Sequence, residues 1–239
     1  MTGTSIDGID AALVQIAGTG LAMRAKLVRH VAGSLGDLRE PLNRAATQTP
    51  MTSGELARLA WDFGRLHANV IAQLVDGFSA PDLICVHGQT VFHQPPISWQ
   101  LINPAPIAAR FDCPVVFDLR QADLAAGGQG APITPIADWI LFSSETAKRA
   151  IINLGGFCNV TILPKRSTGP TEASSHDPTE IQGFDVCACN QLLDCIARDA
   201  LGVAFDDGGR APRAGTADSS TAIELRSNLA RQRRAGRSL

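Results

Sequence analysis

Between Glu55 and Val75 the apolar residues Leu56, Leu59, Phe63, Leu66, Val70, Ile71 and Leu74 recur at the helical period of about 3.6 residues. A helix of that length with one apolar stripe needs a second layer to cover the stripe, so it sets the architecture for everything around it. Ser53 stands ahead of it as an N-cap residue. Short strand patterns flank the helix. Ile9–Ile16 alternates, Asp82–His87 and Pro114–Asp118 are short apolar runs that end in polar residues, and Ile151–Leu154 and Val160–Leu163 read as a strand pair about a Gly-Gly turn. Asn190–Leu201 reads as a second amphipathic helix, with Leu192, Leu193, Ile196 and Leu201 on one side. Strands alternating with helices place the chain in the α/β class.

A chain of 239 residues, 45% hydrophobic, can bury one large core or two small ones. The Gly- and Pro-rich stretch Ala125–Pro135 is the candidate boundary. It divides the sequence into an N-terminal α/β domain over residues 1–130, a partial second α/β domain over 131–218, and a basic, disordered tail over 219–239. From residue 210 onward seven arginines face only Asp218 and Glu224, yet the whole chain has a formal charge of -2. That balance gives no whole-chain case for nucleic acid or an anionic membrane. Thr168–Thr179 reads as a surface loop. No apolar run is long enough to span a bilayer and no secretory leader is visible, so the cytoplasm is expected. The six cysteines, at irregular spacings, read as reduced thiols.

Five motifs carry chemistry. Gly3-Thr4-Ser5-Ile6-Asp7-Gly8-Ile9-Asp10 can curl its backbone N–H groups and hydroxyls around a phosphate, with Asp7 or Asp10 facing a metal that neutralises it. It can equally be a hairpin turn. His87-Gly88-Gln89-Thr90 closes a strand, where an imidazole, an amide and a hydroxyl suit sugar hydroxyls or simply cap a loop. Asp118-Leu119-Arg120 leaves another strand, followed by Asp123 and Gly127-Gly128-Gln129-Gly130; Arg120 can grip a carboxylate or form a surface ion pair. The Gly155-Gly156 turn within Asn153–Asn159 can admit a phosphate or be an ordinary hairpin. Gly183-Phe184-Asp185 places Asp185 just before the second helix, where a carboxylate can hold or deprotonate a hydroxyl or water. Cys187 and Cys189, with Cys195 and His176, invite a metal reading, but Cys-x-Cys lacks paired knuckles and core thiols are the better account.

In this order the motifs resemble the anhydro-N-acetylmuramic acid kinases over roughly residues 1–218, with Asp118–Pro132 the most specific part. The resemblance implies an actin-like, ribonuclease H-like sugar-kinase fold of two domains with ATP in the cleft between them. It implies an enzyme that opens 1,6-anhydro-N-acetylmuramic acid with water and phosphorylates O6, serving peptidoglycan recycling. Gly3–Asp10 then corresponds to the ATP-phosphate segment, with Mg²⁺ bridging the phosphates, and Asp185 to the base that activates water. His87, Gln89, Arg120 and Asn190 fall near the sugar. The family tends to dimerise. The chain departs from the pattern where Val186-Cys187-Ala188-Cys189 replaces a Thr-Gly-Pro-Gly run before Asn190. Against the family pattern it also reads as truncated at both ends, with the second domain incomplete. The alternative is an inactive remnant, or a sugar- or nucleotide-binding module of the same fold.

Overall fold

The computed structural model describes residues 6–166, 180–216 and 218–234. Two strands lead, β1 (Ile9–Ala17) and β2 (Arg24–Gly33), paired antiparallel from Ile9 opposite Gly33 to Ala17 opposite Arg24. Their alternation buries Ile9 and half-buries Ala11 and Leu13, whereas Ile16 and Leu27 near the turn are exposed. Helix α1 (Arg39–Ala46) follows and buries Leu42 and Ala45.

The long apolar period becomes α2 (Ser53–Val75), 23 residues. Its cap is Thr52, one residue earlier than the sequence suggests. Thr52 is extended at φ -73 and ψ 157, and its side chain accepts from the Glu55 backbone N–H at 3.2 Å. Glu55 Oε2 accepts from the Thr52 backbone N–H at 2.7 Å, closing a reciprocal capping box. Those bonds hold the Glu55 carboxyl below its ordinary range. Ser53 is already helical, so its hydroxyl cannot do this work.

α2 feeds two apolar clusters. Leu59, Phe63 and Val70 pack with Ile6, Ile9, Leu35, Leu42, Val91 and Leu101. Ala68 and Ile71 pack with Ile84, Val86 and Ile107. The second cluster rests on β3 (Ile84–Val86), which continues past Gly88 into a hairpin of β4 (Gln89–Gln94) and β5 (Ile97–Leu101). A short helix, α3 (Ala105–Ala108), leads to β6 (Val115–Phe117). β3 and β6 pair in parallel, Ile84 with Val115 through Val86 with Phe117. Then come α4 (Leu119–Ala125) and α5 (Pro135–Phe142).

The chain divides into two compact units between Leu141 and Phe142, and the Gly-rich stretch Ala125–Pro135 lies within the first. The second unit holds a three-stranded antiparallel sheet in the order β7 (Arg149–Leu154), β8 (Phe157–Leu163), β9 (Gln182–Ala188). Ile152, Val160 and Phe184 lie side by side on one of its faces, and Cys158 and Leu163 are buried. After β9 come α6 (Asn190–Ile196), which continues as a wider helical turn over Ala197–Leu201, and α7 (Arg210–Ala214). Leu192, Leu193, Ile196 and Leu201 all remain exposed. Ser219–Arg234, read from sequence as a disordered tail, is a helix, α8. Strong helix formers account for it, together with the Asp218 carboxylate, which takes the Ser220 backbone N–H at 2.9 Å and the Thr221 hydroxyl at 2.7 Å. The surface loop expected at Thr168–Thr179 lies outside the described residues. None of the described helices is long and apolar enough to cross a membrane. The architecture is mixed α/β.

One contact fixes the height of α2 over the following segment. The Asn103 backbone N–H donates to the Ala60 carbonyl at 3.0 Å, and the Asn103 carbonyl lies directly against Gly64, where a Cβ would run into it. Gly64→Ala is therefore expected to destabilise the chain by about 1–3 kcal/mol. Gly54→Ala in the first turn of the same helix, with nothing near its Cβ, should instead stabilise by about 0.5–1 kcal/mol. Urea midpoints of the two variants check this, and equal midpoints would refute it.

Candidate functional site at the carboxyl ends of the parallel strands

Because Val86 and Phe117 are register partners in a parallel pair, His87 and Asp118 leave the sheet side by side at its carboxyl edge. This is the edge at which ligands collect in α/β sheets. His87 and Gln89 are buried, at 9% and 2% exposure, and Asp118 and Arg120 are half-buried. Asp118 precedes α4 in the left-handed region, φ 53 and ψ 53, yet its side chain does not cap the helix. His87 Nδ1, Gln89 Oε1 and Asp118 Oδ1 are buried polar atoms without a hydrogen-bond partner. Buried polar atoms are normally satisfied, so three orphans on neighbouring segments mark a place prepared for something polar.

The electrostatics agree. Burial, reinforced by the nearby Arg120 charge, lowers His87 to about 4, so the imidazole is neutral at pH 7. Burial raises the Asp118 carboxyl, and the Gln121 backbone N–H and the Arg120 guanidinium oppose that rise. Arg120 thus lies near both side chains. Its Nη1 also donates to the Gly130 carbonyl at 2.7 Å, while Asp123 Oδ2 accepts the Gly130 backbone N–H at 2.6 Å. The two charged residues strap the glycine loop back onto α4. A Cβ at Gly128 would collide with the Asp123 carboxylate, so that glycine is what lets the strap close.

A polar network that the sequence reading missed lies alongside. In the β4–β5 hairpin the Thr90 hydroxyl donates to Gln100 Oε1 at 2.8 Å, Gln100 Nε2 donates to Ser98 Oγ at 3.3 Å, and His93 Nδ1 is 3.1 Å from Ser98 Oγ. The Gln121 side chain donates to the Ser98 carbonyl, which ties the hairpin to α4. The sequence carried the signal: Ser98 and Gln100 alternate with Ile97, Trp99 and Leu101 after the Pro95-Pro96 turn.

Of the expected phosphate segment, Gly3, Thr4 and Ser5 lie outside the described residues. Ile6 is buried with φ 51, an uncommon conformation for a β-branched residue. Asp7 and Asp10 are exposed and Gly8 is half-buried. Asp10 Oδ1 is 3.0 Å from His30 Nε2 across the hairpin. Residues 6–8 lead into β1, Ile9 and Asp10 open it, and none of them is in the turn joining β1 to β2.

In the second unit Asp185 is not at a helix start. It sits within β9, half-buried and opposite Asn159, next to a bulge at Cys158/Asn159. Pairing to β8 runs on either side of the unpaired Val186 as far as Ala188, and the helix begins only at Asn190. The start of α6 is bound to the Gly-Gly turn. The backbone N–H groups of Cys189, Asn190 and Gln191 donate to the carbonyls of Gly156, Gly155 and Gly156 at 2.9, 3.0 and 3.3 Å, and Asn190 Nδ2 donates to the Leu154 carbonyl at 3.2 Å. All six cysteines are free thiols. Among the described residues no group of three or more His, Cys, Asp or Glu side chains is arranged to hold a metal ion; His176 lies outside them.

A mixed α/β chain with neutral, hydroxyl-suited groups at the ends of parallel strands is consistent with a kinase of sugar-kinase type. The family model described as Anhydro-N-acetylmuramic acid kinase matches residues 1–236, and the chain belongs to that family. Similar curated proteins carry the same name. One from Salinibacter ruber is 35% identical, over 94% of this chain and 58% of its own length. One from Gloeobacter violaceus is 38% identical, over 91% and 58%. One from Picosynechococcus is 38% identical, over 81% and 51%. The chain therefore spans between half and three-fifths of the length of these relatives.

The histidines make stability depend on pH. His67, on α2, is also lowered to about 4, mainly by burial, with its Nδ1 2.8 Å from the Phe63 carbonyl. Above the ordinary value of about 6.5 both are neutral whether the chain is folded or not. Between about 6.5 and 4 the unfolded chain takes up a proton that the folded chain excludes, so stability falls with pH, by about 1.4 kcal/mol per unit for each histidine. His87→Gln is expected to remove about one proton from that slope in urea denaturation across the window. An unchanged slope would show that His87 is not neutral in the fold.

Proposed function

We propose that this chain is an ATP-dependent kinase that hydrolytically opens the 1,6-anhydro bridge of 1,6-anhydro-N-acetylmuramic acid and phosphorylates O6. The product is N-acetylmuramic acid 6-phosphate, in cytoplasmic peptidoglycan recycling. The observation that carries the reading is the family match across residues 1–236, within which the motif residues keep their order. The actin-like two-domain fold belongs to the same proposal, as does the family's tendency to form homodimers.

Asp185 takes the proton of a water molecule as that water attacks the anomeric carbon. The C1–O6 bond breaks, and the freed O6 attacks the γ-phosphorus of ATP as its bond to the β,γ-bridging oxygen breaks and ADP leaves. His87, Gln89 and Arg120 hold the sugar, with Asn190 near it. Buried neutral groups suit hydroxyls, and Arg120, whose Nη1 binds the Gly130 carbonyl, brings a fixed cation to the same edge. Gly3–Asp10 receives the ATP phosphates. Phosphate-bound Mg²⁺ keeps several waters and takes only one or two protein carboxylates, and the exposed Asp7 and Asp10 fit that donor set. The ion supplies charge neutralisation on the phosphates.

Purified protein incubated with ATP, Mg²⁺ and the anhydro sugar is expected to yield the 6-phosphate, read by mass spectrometry. Asp185→Asn should lower kcat by about 10²–10⁴-fold in a chain that still unfolds cooperatively. No phosphorylated sugar from demonstrably folded wild-type chain would overturn the assignment.

A further inference from the structure

We infer that Asp118 is a sugar-reading residue of this site: its carboxylate accepts a hydrogen bond from a neutral O–H or N–H donor on the ligand ring. The inference deepens the proposed function and rests on it for the identity of the sugar. Of the three orphaned buried atoms, Asp118 Oδ1 and Gln89 Oε1 can only accept, whereas the neutral His87 can take either role at Nδ1. Whatever completes the site must therefore bring donors. Gln89 cannot turn to meet its own need, because its Nε2 lies 3.4 Å from the Thr90 carbonyl and the residue is 2% exposed.

Asp118 is held for this task. It occupies the left-handed region, where aspartate is tolerated at a cost. An aspartate directly before a helix ordinarily caps it; here the Gln121 backbone N–H lowers the carboxyl, but no bond of cap geometry forms and Oδ1 is left over. Its place beside His87 is set by the β3–β6 register. A carboxylate there repels an anion, so it faces the uncharged edge of the ligand and the lactyl carboxylate of a muramic acid lies away from it. In the 1,6-anhydro sugar the neutral donors are the 4-hydroxyl and the acetamido N–H, and Asp118 takes one of them. A charge-assisted bond of this kind is stronger than one to an amide oxygen, which separates Asp from Asn at the position.

The test uses the full chain and its Asp118→Asn and Asp118→Gly variants. Calorimetry with 1,6-anhydro-N-acetylmuramic acid, with 1,6-anhydro-N-acetylglucosamine (which lacks the lactyl carboxylate) and with ATP gives the affinities, and thermal unfolding without ligand gives stability. Asp118→Asn is expected to weaken both sugars at least tenfold, by similar factors, and to leave ATP unchanged. Asp118→Gly, which removes the orphan and suits the left-handed backbone, is expected to raise the melting temperature. Unchanged sugar affinity in Asp118→Asn, or a lower melting temperature with parallel loss of sugar and ATP, overturns the inference. If the wild type binds only the lactyl-free sugar and Asp118→Asn loses it, the inference stands and the muramic substrate falls. Wild-type binding of neither sugar overturns both.

Discussion

The first unit depends on burying α2 on two sides at once. Leu59, Phe63 and Val70 close one apolar cluster against the β1–β2 hairpin, α1 and β4–β5, and Ala68 and Ile71 close the other against β3 and α3. A helix used this way cannot rotate to favour one cluster without opening the other. The Thr52–Glu55 box fixes where it begins and the Asn103 carbonyl at Gly64 fixes how closely the next segment passes. β3 is positioned by its Ile84 and Val86 side chains in that second cluster, and β6 by pairing with β3. The carboxyl edge carrying His87 and Asp118 thus inherits its geometry from α2.

At that edge the fold leaves polar atoms unsatisfied while satisfying the surroundings closely. Thr90, Gln100, Ser98 and His93 complete one another, and Arg120 and Asp123 complete the glycine loop. An orphaned buried acceptor costs on the order of 1–3 kcal/mol, a cost that a bound hydroxyl or amide donor offsets. The neighbouring networks keep the orphans from relaxing toward other partners, so the site stays prepared in the absence of ligand.

The elements most legible in the sequence are those whose periodicity and burial coincide. The α2 stripe, the β1 alternation and the strand pair about Gly155-Gly156 have the expected type and nearly the expected limits. β3 and β6 are legible as strands, but their parallel pairing is a tertiary fact, and with it the meeting of His87 and Asp118. The β4–β5 hairpin is signalled by the alternation after Pro95-Pro96, but the burial of the polar Gln89, Ser98 and Gln100 is something hydrophobic patterning cannot show. Arg120 reads as a carboxylate grip, yet one of its nitrogens is taken by Gly130, a partner ten residues on in a loop with no period at all. The sequence puts Asp185 at a helix start because the apolar positions after Asn190 are conspicuous, whereas the strand that holds it alternates over few residues and depends on β8 for its definition.

The same strand explains how this chain carries Val186-Cys187-Ala188-Cys189 where the family pattern has Thr and glycines. Cys187 and Ala188 are paired residues of β9, opposite Cys158 and Phe157. Glycine weakens a strand and cysteine does not, because a small apolar side chain can pack on the pleated surface. Cys187 is half-buried beside the buried Cys158, and burial together with the neighbouring thiols raises the Cys158 pKa, keeping it a thiol. Cys189 adopts φ -126, outside the left-handed region, so no glycine is required at the join to α6. The join is made instead by the Gly155 and Gly156 carbonyls, which receive the first N–H groups of the helix. The backbone that positions Asp185 and Asn190 is therefore fixed by pairing and by the opposite turn, and the replaced residues can differ without moving either one.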